Sequence, residues 1–388
     1  MKRAWVPTLV AVVLMLASAA QADARPKPPA PEDVALDQAL QRLVTMAGGP
    51  PGVIAVVQRN RDRQVHAAGT SEVGRNRLPR DTDTMHIAST AKAFSGAAAL
   101  TLVQQRRLGL DDTIGQRRPD LPRAWHPATL RQLLNHTSGV PDLLSSPDIG
   151  PAISASPGKA PAPRQLLDFV ANRPLENPGT YHYSNSDNII VGLFVESVTG
   201  QPYDRALDRL VSRPLGLRAT SLPAGPELRP RPFIHGYDPD PGVAPTAKDD
   251  VSEFIAGGWS WASGGIVSTP ADLNTFIRGY VGGDLFNRRI QNEQAQFVSG
   301  GSEPTGPGTN TAGLALFRYD TRCGTVFGHT GNTFGYTQFM AASRDGRRSV
   351  TMSINLQRTQ KNTGQEAEVF ATLRAAEEDA VCAALAPR

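Results

Sequence analysis

The chain has 388 residues and a formal net charge of +4 at pH 7, and 40% of its residues are hydrophobic. This length exceeds what one compact core usually holds, so two lobes are expected. Its arginine pairs are dispersed along the chain, whereas a nucleic-acid interface needs clustered positive charge, so nucleic acid is excluded as a partner.

Residues 1–24 have the pattern of a secretory signal peptide. A positively charged start precedes an apolar run from Leu9 to Ala20, and small residues follow up to Ala24. The apolar run is shorter than the roughly 18 residues that a membrane-spanning helix needs. We therefore expect a secreted or periplasmic protein without a stable membrane anchor, and a flexible, proline-rich leader over residues 25–34.

The two ends of the remaining chain carry patterns for helices and hairpins. Helical patterns cover residues 32–47 and 365–385. Paired apolar runs flank polar turns at residues 60–63 and 344–347 and predict β-hairpins. These elements predict one antiparallel sheet flanked by N- and C-terminal helices. The sheet domain is expected to comprise residues 35–88 and 311–388.

The middle of the chain, residues 89–310, is predicted to form an inserted helical lobe with long loops. Thr269, Pro270 and Asp272 form a helix start, because a threonine cap, a proline in the first position and an acid in the first turn favour one. The fold class is therefore predicted to be α+β. The predicted helices of this lobe cover residues 90–107, 128–135, 164–172, 187–199, 203–212 and 270–281.

Ser89 and Lys92 are separated by one turn at the start of a predicted helix, so they share a face. The helix dipole favours an alkoxide there, and a nearby amine can take the hydroxyl proton. The same Ser-x-x-Lys pattern occurs at Ser156 and Lys159, in a loop rich in proline and glycine that we interpret as solvated. The pattern alone therefore does not distinguish a nucleophile from an ordinary helix start with a solvated lysine.

Two further motifs add chemistry. Tyr183 and Asn185 lie at a loop-to-helix junction, where a tyrosine near a lysine can act as a base and an asparagine amide can both donate and accept. His329, Thr330 and Gly331 follow a short predicted strand, and a strand glycine lets a substrate backbone come close. Taken singly, each motif also fits an ordinary turn or a buried histidine. The seven histidines show no metal-binding spacing, so no metal or cofactor is expected.

In this order, the three motifs resemble those of the class C β-lactamase-like serine hydrolases, a family of penicillin-recognising enzymes. They are most similar to those of the secreted serine D-alanyl-D-alanine carboxypeptidases, which have His-Thr-Gly where most relatives have Lys-Thr-Gly. The resemblance covers residues 35–383 and extends to the stretches 134–139 and 259–272. It implies a β-lactamase/transpeptidase-like fold.

The resemblance also implies a role for each matching residue. Ser89 would be acylated, while Lys92 and Tyr183 would share the proton transfers. The backbone N–H groups of Ser89 and Asn332 would form an oxyanion hole. Asn185 would bind the substrate amide, and Trp259 would line the cleft. The residues implied to contact substrate are Asn185, Trp259, His329, Thr330, Gly331 and Asn332.

Cys323 and Cys382 are the only cysteines, and such a pair in an exported chain indicates a disulfide. The bridge would stabilise the fold by about 4 kcal/mol through chain entropy, and the family resemblance places a disulfide at the same positions. Two buried free thiols are the alternative.

One departure from the carboxypeptidase pattern concerns the substrate. Phe317 occupies the position of an arginine that binds the terminal carboxylate in that branch, and Arg318 is offset by one residue. An offset of one residue turns a strand side chain to the opposite face.

The first hypothesis for the function is a D-alanyl-D-alanine carboxypeptidase that acts on peptides or peptidoglycan stems and is acylated by β-lactams. This enzyme is expected to be a monomer. The alternatives are a β-lactamase-like esterase, a D-aminopeptidase with the same nucleophile, and a non-catalytic penicillin-binding module.

Overall fold

The computed structural model describes residue 1 and residues 29–387. The predicted signal peptide, apart from residue 1, and the first part of the predicted leader lie outside these described residues. Within them, no helix combines the length and the apolar character that crossing a membrane requires.

An eight-stranded antiparallel sheet forms the centre of the fold, and its strand order is β2-β1-β10-β9-β8-β7-β6-β5. The remaining two strands, β3 and β4, form a separate antiparallel pair. The strands are β1 (Gly52–Arg59), β2 (Asp62–Gly69), β3 (Met85–His86), β4 (Val267–Ser268), β5 (Val298–Ser299), β6 (Thr309–Gly313), β7 (Leu316–Thr321), β8 (Gly324–Thr333), β9 (Tyr336–Ala342) and β10 (Arg348–Ile354).

Helices cover both faces of this sheet. The helices are α1 (Pro31–Thr45), α2 (Ala91–Gln104), α3 (Ile114–Arg117), α4 (Leu130–Leu134), α5 (Ile149–Ala155), α6 (Asn185–Thr199), α7 (Tyr203–Leu207), α8 (Arg213–Leu215), α9 (Trp261–Gly264), α10 (Pro270–Gly282), α11 (Arg288–Gln294) and α12 (Gly364–Leu385).

The two faces of the sheet have separate hydrophobic cores. Helices α1 and α12 pack on one face, in a core that includes Leu36, Phe339 and Leu373. The helical lobe and α10 pack on the other face, in a larger core that includes Phe94 and Phe276. Because strand side chains alternate between faces, both surfaces of the central strands are apolar and buried. The predicted α+β class is confirmed.

The predicted hairpins are confirmed as β1–β2 and β9–β10. The turn between β7 and β8 carries Cys323, and a disulfide joins it to Cys382 on α12 across a Cα–Cα distance of 5.1 Å. The sheet also includes β5 and the first residues of β6, which the sequence assigned to the helical lobe. These short edge strands are flanked by glycine and proline, so they carry no alternating pattern that could be detected.

Most predicted helices are present, with two changes of type. The stretch expected at 164–172 is a 3-10 helix over Pro163–Phe169. The helix expected at 203–212 continues past α7 as a π-helical segment, Asp208–Ser212, and α8 then ends at Gly216 in a left-handed conformation. The cap predicted for α10 is confirmed, because the Thr269 side chain accepts a hydrogen bond from the Asp272 backbone N–H.

Candidate active site

Ser89 lies in a 3-10 turn, Ala88–Thr90, that leads directly into α2. Its two neighbours in the turn are buried, whereas Ser89 itself is half-buried and reaches the surface. Ala88 has a φ of 51°, a left-handed conformation that costs a residue with a Cβ about 1–3 kcal/mol. Such local strain is typical of functional sites, and here it places the Ser89 side chain at the N-terminal end of α2.

Lys92 is fully buried one turn after Ser89, and its ammonium makes three hydrogen bonds. Nζ donates to Ser89 Oγ at 3.0 Å, to Asn185 Oδ1 at 2.7 Å and to the Ser263 carbonyl at 2.9 Å. Burial lowers the pKa of Lys92 to about 7, and the carboxylate of Asp142 is the largest opposing influence. A large fraction of Lys92 is therefore a neutral amine at neutral pH, able to accept the Ser89 proton.

Tyr183 packs beside Lys92, with Nζ 5.0 Å from the centre of its ring. Burial raises the pKa of Tyr183 well above its ordinary value, and the nearby Ser89 side chain offsets only part of this effect. The phenol oxygen lies near Ser89 but outside normal hydrogen-bond geometry, so this buried hydroxyl has no partner among the described residues. Tyr183 is thus a neutral phenol with a free proton to donate.

Asn185 is held on both sides by its neighbours. Its amide oxygen accepts from Lys92, and its amide nitrogen donates to the two Asp142 carboxylate oxygens at 3.2 and 3.3 Å. The Asn185 backbone N–H also donates to Asp142, at 3.0 Å. Asp142 therefore fixes the orientation of the amide. The sequence analysis did not single out Asp142, although it lies three residues after the 134–139 stretch that the resemblance includes.

A second group missed from the sequence lies behind Tyr183. The His136 ring is 4.6 Å from the Tyr183 ring, and His136 Nδ1 is 2.9 Å from Asp187 Oδ2. Ser138 Oγ donates to the other Asp187 oxygen at 2.5 Å. Burial lowers the pKa of His136 to about 3 and raises that of Asp187 well above its ordinary value. Both shifts favour a neutral pair, which supports the Tyr183 ring without adding charge.

Strand β8 places the His-Thr-Gly motif against Ser89. A Cβ on Gly331 would lie 2.7 Å from the Ser89 nitrogen and 2.9 Å from that of Thr90, so only glycine fits without a shift. β8 pairs with β9 as far as Thr333 but with β7 only as far as Gly328. The edge formed by residues 329–333 therefore lies beside the nucleophile, where an extended substrate can be added as a further strand. Asn332 is half-buried on this edge.

His329 and Thr330 each have one polar side-chain atom hydrogen-bonded within the protein, whereas His329 Nε2 is buried and has no partner among the described residues. His329 Nδ1 lies 2.5 Å from the Thr330 carbonyl, and Thr330 Oγ donates to the Pro304 carbonyl at 2.5 Å. Burial lowers the pKa of His329 to about 3, so its ring is neutral at pH 7. The lysine of the more usual Lys-Thr-Gly motif would supply a cation at this position, and His329 does not.

Phe317 and Arg318 face opposite sides of β7. Phe317 is buried, with its ring centre 4.9 Å from that of His329. Arg318 is ion-paired with Asp320 at 2.9 Å, and its pairing with Phe327 continues the regular β7–β8 register. No bulge redirects Arg318 toward His329, so the guanidinium does not replace the arginine that the carboxypeptidase branch carries.

Trp259 and the second Ser-x-x-Lys sequence lie close to each other. Trp259 is buried and donates through Nε1 to the Ser156 carbonyl at 3.0 Å. Ser156 and Lys159 belong to a turn after α5, where Ser156 Oγ donates to the Lys159 carbonyl. This confirms the interpretation of Ser156 and Lys159 as loop residues. Over residues 29–387, no group of three or more His, Cys, Asp or Glu residues is arranged to hold a metal ion.

Comparisons with known proteins agree with this architecture. The family model described as Beta-lactamase matches residues 36–373. The D-alanyl-D-alanine-carboxypeptidase/endopeptidase AmpH of Escherichia coli K12 is 24% identical over 64% of this chain, which spans 62% of AmpH.

Two solved structures are similar over most of their length. The D-stereospecific amidohydrolase from Streptomyces sp. is 30% identical, with a TM-score of 0.72 over 84% of this chain and 95% of the other. The D-amino acid amidase from Ochrobactrum anthropi SV3, complexed with D-phenylalanine, has a TM-score of 0.75 at 22% identity over 90% of this chain and 99% of the other. The second likeness shows the fold alone.

Proposed function

The chain belongs to the Beta-lactamase family of serine hydrolases, and we propose that it hydrolyses amide bonds on the carbonyl side of D-amino acids through an acyl-enzyme on Ser89. The single observation that supports this most is the hydrogen bond between Ser89 Oγ and the buried Lys92 ammonium. A lysine whose pKa is lowered to about 7 can activate a serine hydroxyl at neutral pH.

In the proposed acylation step, neutral Lys92 takes the Ser89 proton as Oγ attacks the substrate carbonyl. The carbonyl π electrons move to oxygen, where the backbone N–H groups of Ser89 and Asn332 would stabilise the oxyanion. Tyr183 donates its proton to the leaving nitrogen as the C–N bond breaks, and the Lys92 ammonium can return a proton to Tyr183. In deacylation the same groups act in reverse: water attacks the ester carbonyl, and its proton passes through Tyr183 to Lys92. Lys92 then returns a proton to Ser89 Oγ as the acid is released.

Two substrate types remain candidates for this site. A D-alanyl-D-alanine carboxypeptidase is supported by AmpH and by the His-Thr-Gly motif. A D-amino acid amidohydrolase or D-aminopeptidase is supported by the Streptomyces enzyme and by Phe317, because neither Phe317 nor the neutral His329 supplies a cation to bind a carboxylate. Of these two candidates, we favour the D-amino acid amidohydrolase or D-aminopeptidase. Under either candidate, peptidoglycan stem peptides are possible substrates and β-lactams are expected to acylate Ser89 slowly. Esters would be cleaved by the same nucleophile.

The sequence pattern of residues 1–24 and the Cys323–Cys382 disulfide support a location outside the cytoplasm, since disulfides persist in oxidising compartments. We propose that the mature enzyme is secreted or periplasmic.

The test uses the mature protein, Ser89→Ala and Ser156→Ala. Ser156 is the matched control, because it belongs to the second Ser-x-x-Lys sequence and lies in a solvated turn. Each protein is incubated with a fluorescent penicillin, D-phenylalanine amide, a D-Ala-D-Ala peptide and a p-nitrophenyl ester, and adducts are mapped by mass spectrometry. We expect adducts and turnover in wild type and Ser156→Ala, with neither in Ser89→Ala. Absence of any adduct on Ser89 in the wild type would refute the proposal.

A further inference from the structure

The loop of residues 300–308, between β5 and β6, packs beside the His-Thr-Gly strand and carries an acid, Glu303. We propose that Glu303 makes the leaving-group side of the cleft select substrates with an uncharged leaving group, such as a carboxamide, against those that end in a free carboxylate. This inference rests on the proposed acyl-enzyme function and specifies its substrate class.

The loop is fixed against the site at several points. Thr330 donates to the Pro304 carbonyl, and Tyr181 donates its hydroxyl to the Gly301 carbonyl. A Cβ on Gly306 would lie 2.4 Å from the Tyr319 ring and 3.1 Å from Thr330 Cγ2, so the loop backbone packs directly on the strand. Glu303 lies between these contacts. These contacts therefore fix the backbone that carries Glu303 against the strand.

The Glu303 charge acts on the residues around the nucleophile. Burial has the largest influence on the pKa of the four nearby groups Lys92, Tyr183, Tyr181 and His136. The negative charge of Glu303 raises each of these pKa values to a smaller extent. The Glu303 side chain is 45% exposed, whereas its chain neighbours Ser302 and Pro304 are buried. Because its loop packs on the His-Thr-Gly strand, a second carboxylate that enters the cleft beside the loop would be repelled by the Glu303 carboxylate.

No cation on the described leaving-group wall compensates for this charge by contacting the cleft. His329 is neutral, Phe317 is apolar, and Arg318 is paired with Asp320 on the opposite face of β7. Two cations among the described residues lie at this loop: Arg374, whose guanidinium donates to the Gly306 and Gly308 carbonyls, and Lys361, whose Nζ lies 3.5 Å from Glu303. The Lys361 side chain is 78% exposed, and such solvent-exposed pairs are weak and screened by salt. Lys361 therefore offsets only part of the Glu303 charge. Solvent also screens the action of Glu303 on the cleft, so the expected repulsion of a second carboxylate is modest.

The experiment measures kcat/KM for two substrates that differ in one group: an N-acylated D-Ala-D-Ala peptide with a free C-terminal carboxylate and the same peptide as its C-terminal amide. The proteins are wild type, Glu303→Gln, Lys361→Gln and Glu368→Gln. Glu368 is an exposed glutamate on α12 and serves as the matched control. Acylation of Ser89 by each peptide is followed by mass spectrometry in the same samples.

We expect wild type to prefer the amide, and Glu303→Gln to reduce that preference by about tenfold through faster turnover of the acid, as expected when a nearby like charge is removed. Turnover of the amide should stay within about twofold, and added salt should weaken the preference in wild type but not in Glu303→Gln. Lys361→Gln should sharpen the preference or leave it unchanged, and Glu368→Gln should behave as wild type.

A wild-type preference for the acid, or an equal preference in wild type and Glu303→Gln with normal Ser89 acylation, would overturn this inference and leave the proposed function standing. Loss of acid turnover in Lys361→Gln would also overturn it, because Lys361 would then be the carboxylate receptor. If neither peptide acylates Ser89 but D-phenylalanine amide does, the inference fails and the proposed function stands. If penicillin, D-phenylalanine amide and both peptides all fail to acylate Ser89, the proposed function and the inference fail together.

Discussion

Gly331 lies so close to the backbone of Ser89 that a Cβ at this position would come within 2.7 Å of the Ser89 nitrogen. The glycine of the third motif therefore sets the distance between strand β8 and the start of helix α2. The same two segments supply the two N–H groups of the proposed oxyanion hole, so this distance determines how well a carbonyl oxygen fits between them.

Gly331→Ala is expected to separate the strand from the nucleophile and reduce the rate of penicillin acylation by about 100-fold, since a displacement of about 1 Å can cost that much in rate. Stopped-flow measurement with a fluorescent penicillin reports the rate directly. Gly158→Ala is the control, because a Cβ there would meet nothing within 4 Å. Equal acylation rates in the two variants would show that the strand can move without cost.

The assignment of Lys92 as the base predicts a pH dependence. The neutral fraction of Lys92 grows as pH rises through its pKa of about 7, so the acylation rate should rise with pH around that value and then level off. Single-turnover acylation between pH 5 and pH 9 gives the profile. A rate that stays constant across this range would exclude Lys92 as the titrating base.

Lys92→Arg tests the same assignment at one pH. A guanidinium stays protonated and cannot accept the Ser89 proton, so acylation should fall by about 10²–10⁴-fold. Lys248→Arg is the control, since Lys248 is exposed in a short 3-10 helix away from the site.

Asp142→Asn should move the pH profile toward acid. The Asp142 carboxylate raises the pKa of Lys92, so its removal lowers that pKa and makes the neutral amine available at lower pH. The measurement is again the midpoint of the acylation profile. Asp148→Asn, an exposed acid six residues further along the chain, should leave the midpoint unchanged. A shift toward alkaline pH in Asp142→Asn would contradict the electrostatic role given to this carboxylate.

Much of the fold was predictable because its elements have strong local signals. The hairpin turns at residues 60–63 and 344–347 and the cap at Thr269 combine turn or cap chemistry with periodic apolar positions. The short strands β5 and β6 and the π-helical break at Asp208–Ser212 have no such signal. Their conformations depend on packing between segments that are distant in sequence.

The candidate site divides in a similar way. Ser89, Lys92 and Tyr183 belong to motifs, and the structure brings them together. Asp142 and Glu303 are single loop acids without periodicity, and their importance depends on proximity to Lys92, which lies far away along the chain. The choice between Lys92 and Tyr183 as the base was also open from the sequence, because burial shifts both pKa values and burial is a property of the folded protein.

A last prediction concerns Glu377, a fully buried carboxyl on α12. Burial raises the pKa of Glu377 from 4.5 to about 8, and one of its oxygens has no hydrogen-bond partner within the described part of the chain. Between pH 4.5 and pH 8 the folded protein holds a proton that the unfolded chain releases. The stability that this proton provides is complete below about pH 4.5 and is lost as pH rises through about 8.

Glu377→Gln keeps the shape and removes the ionisation, so its free energy of unfolding should match wild type near pH 4.5 and exceed it by about 5 kcal/mol near pH 9. Urea unfolding at several pH values measures the difference. Glu368→Gln, on the exposed side of the same helix, should follow wild type throughout. If the gap between Glu377→Gln and wild type did not grow with pH, Glu377 would have to be ionised in the folded state, with a counter-charge that stabilises it.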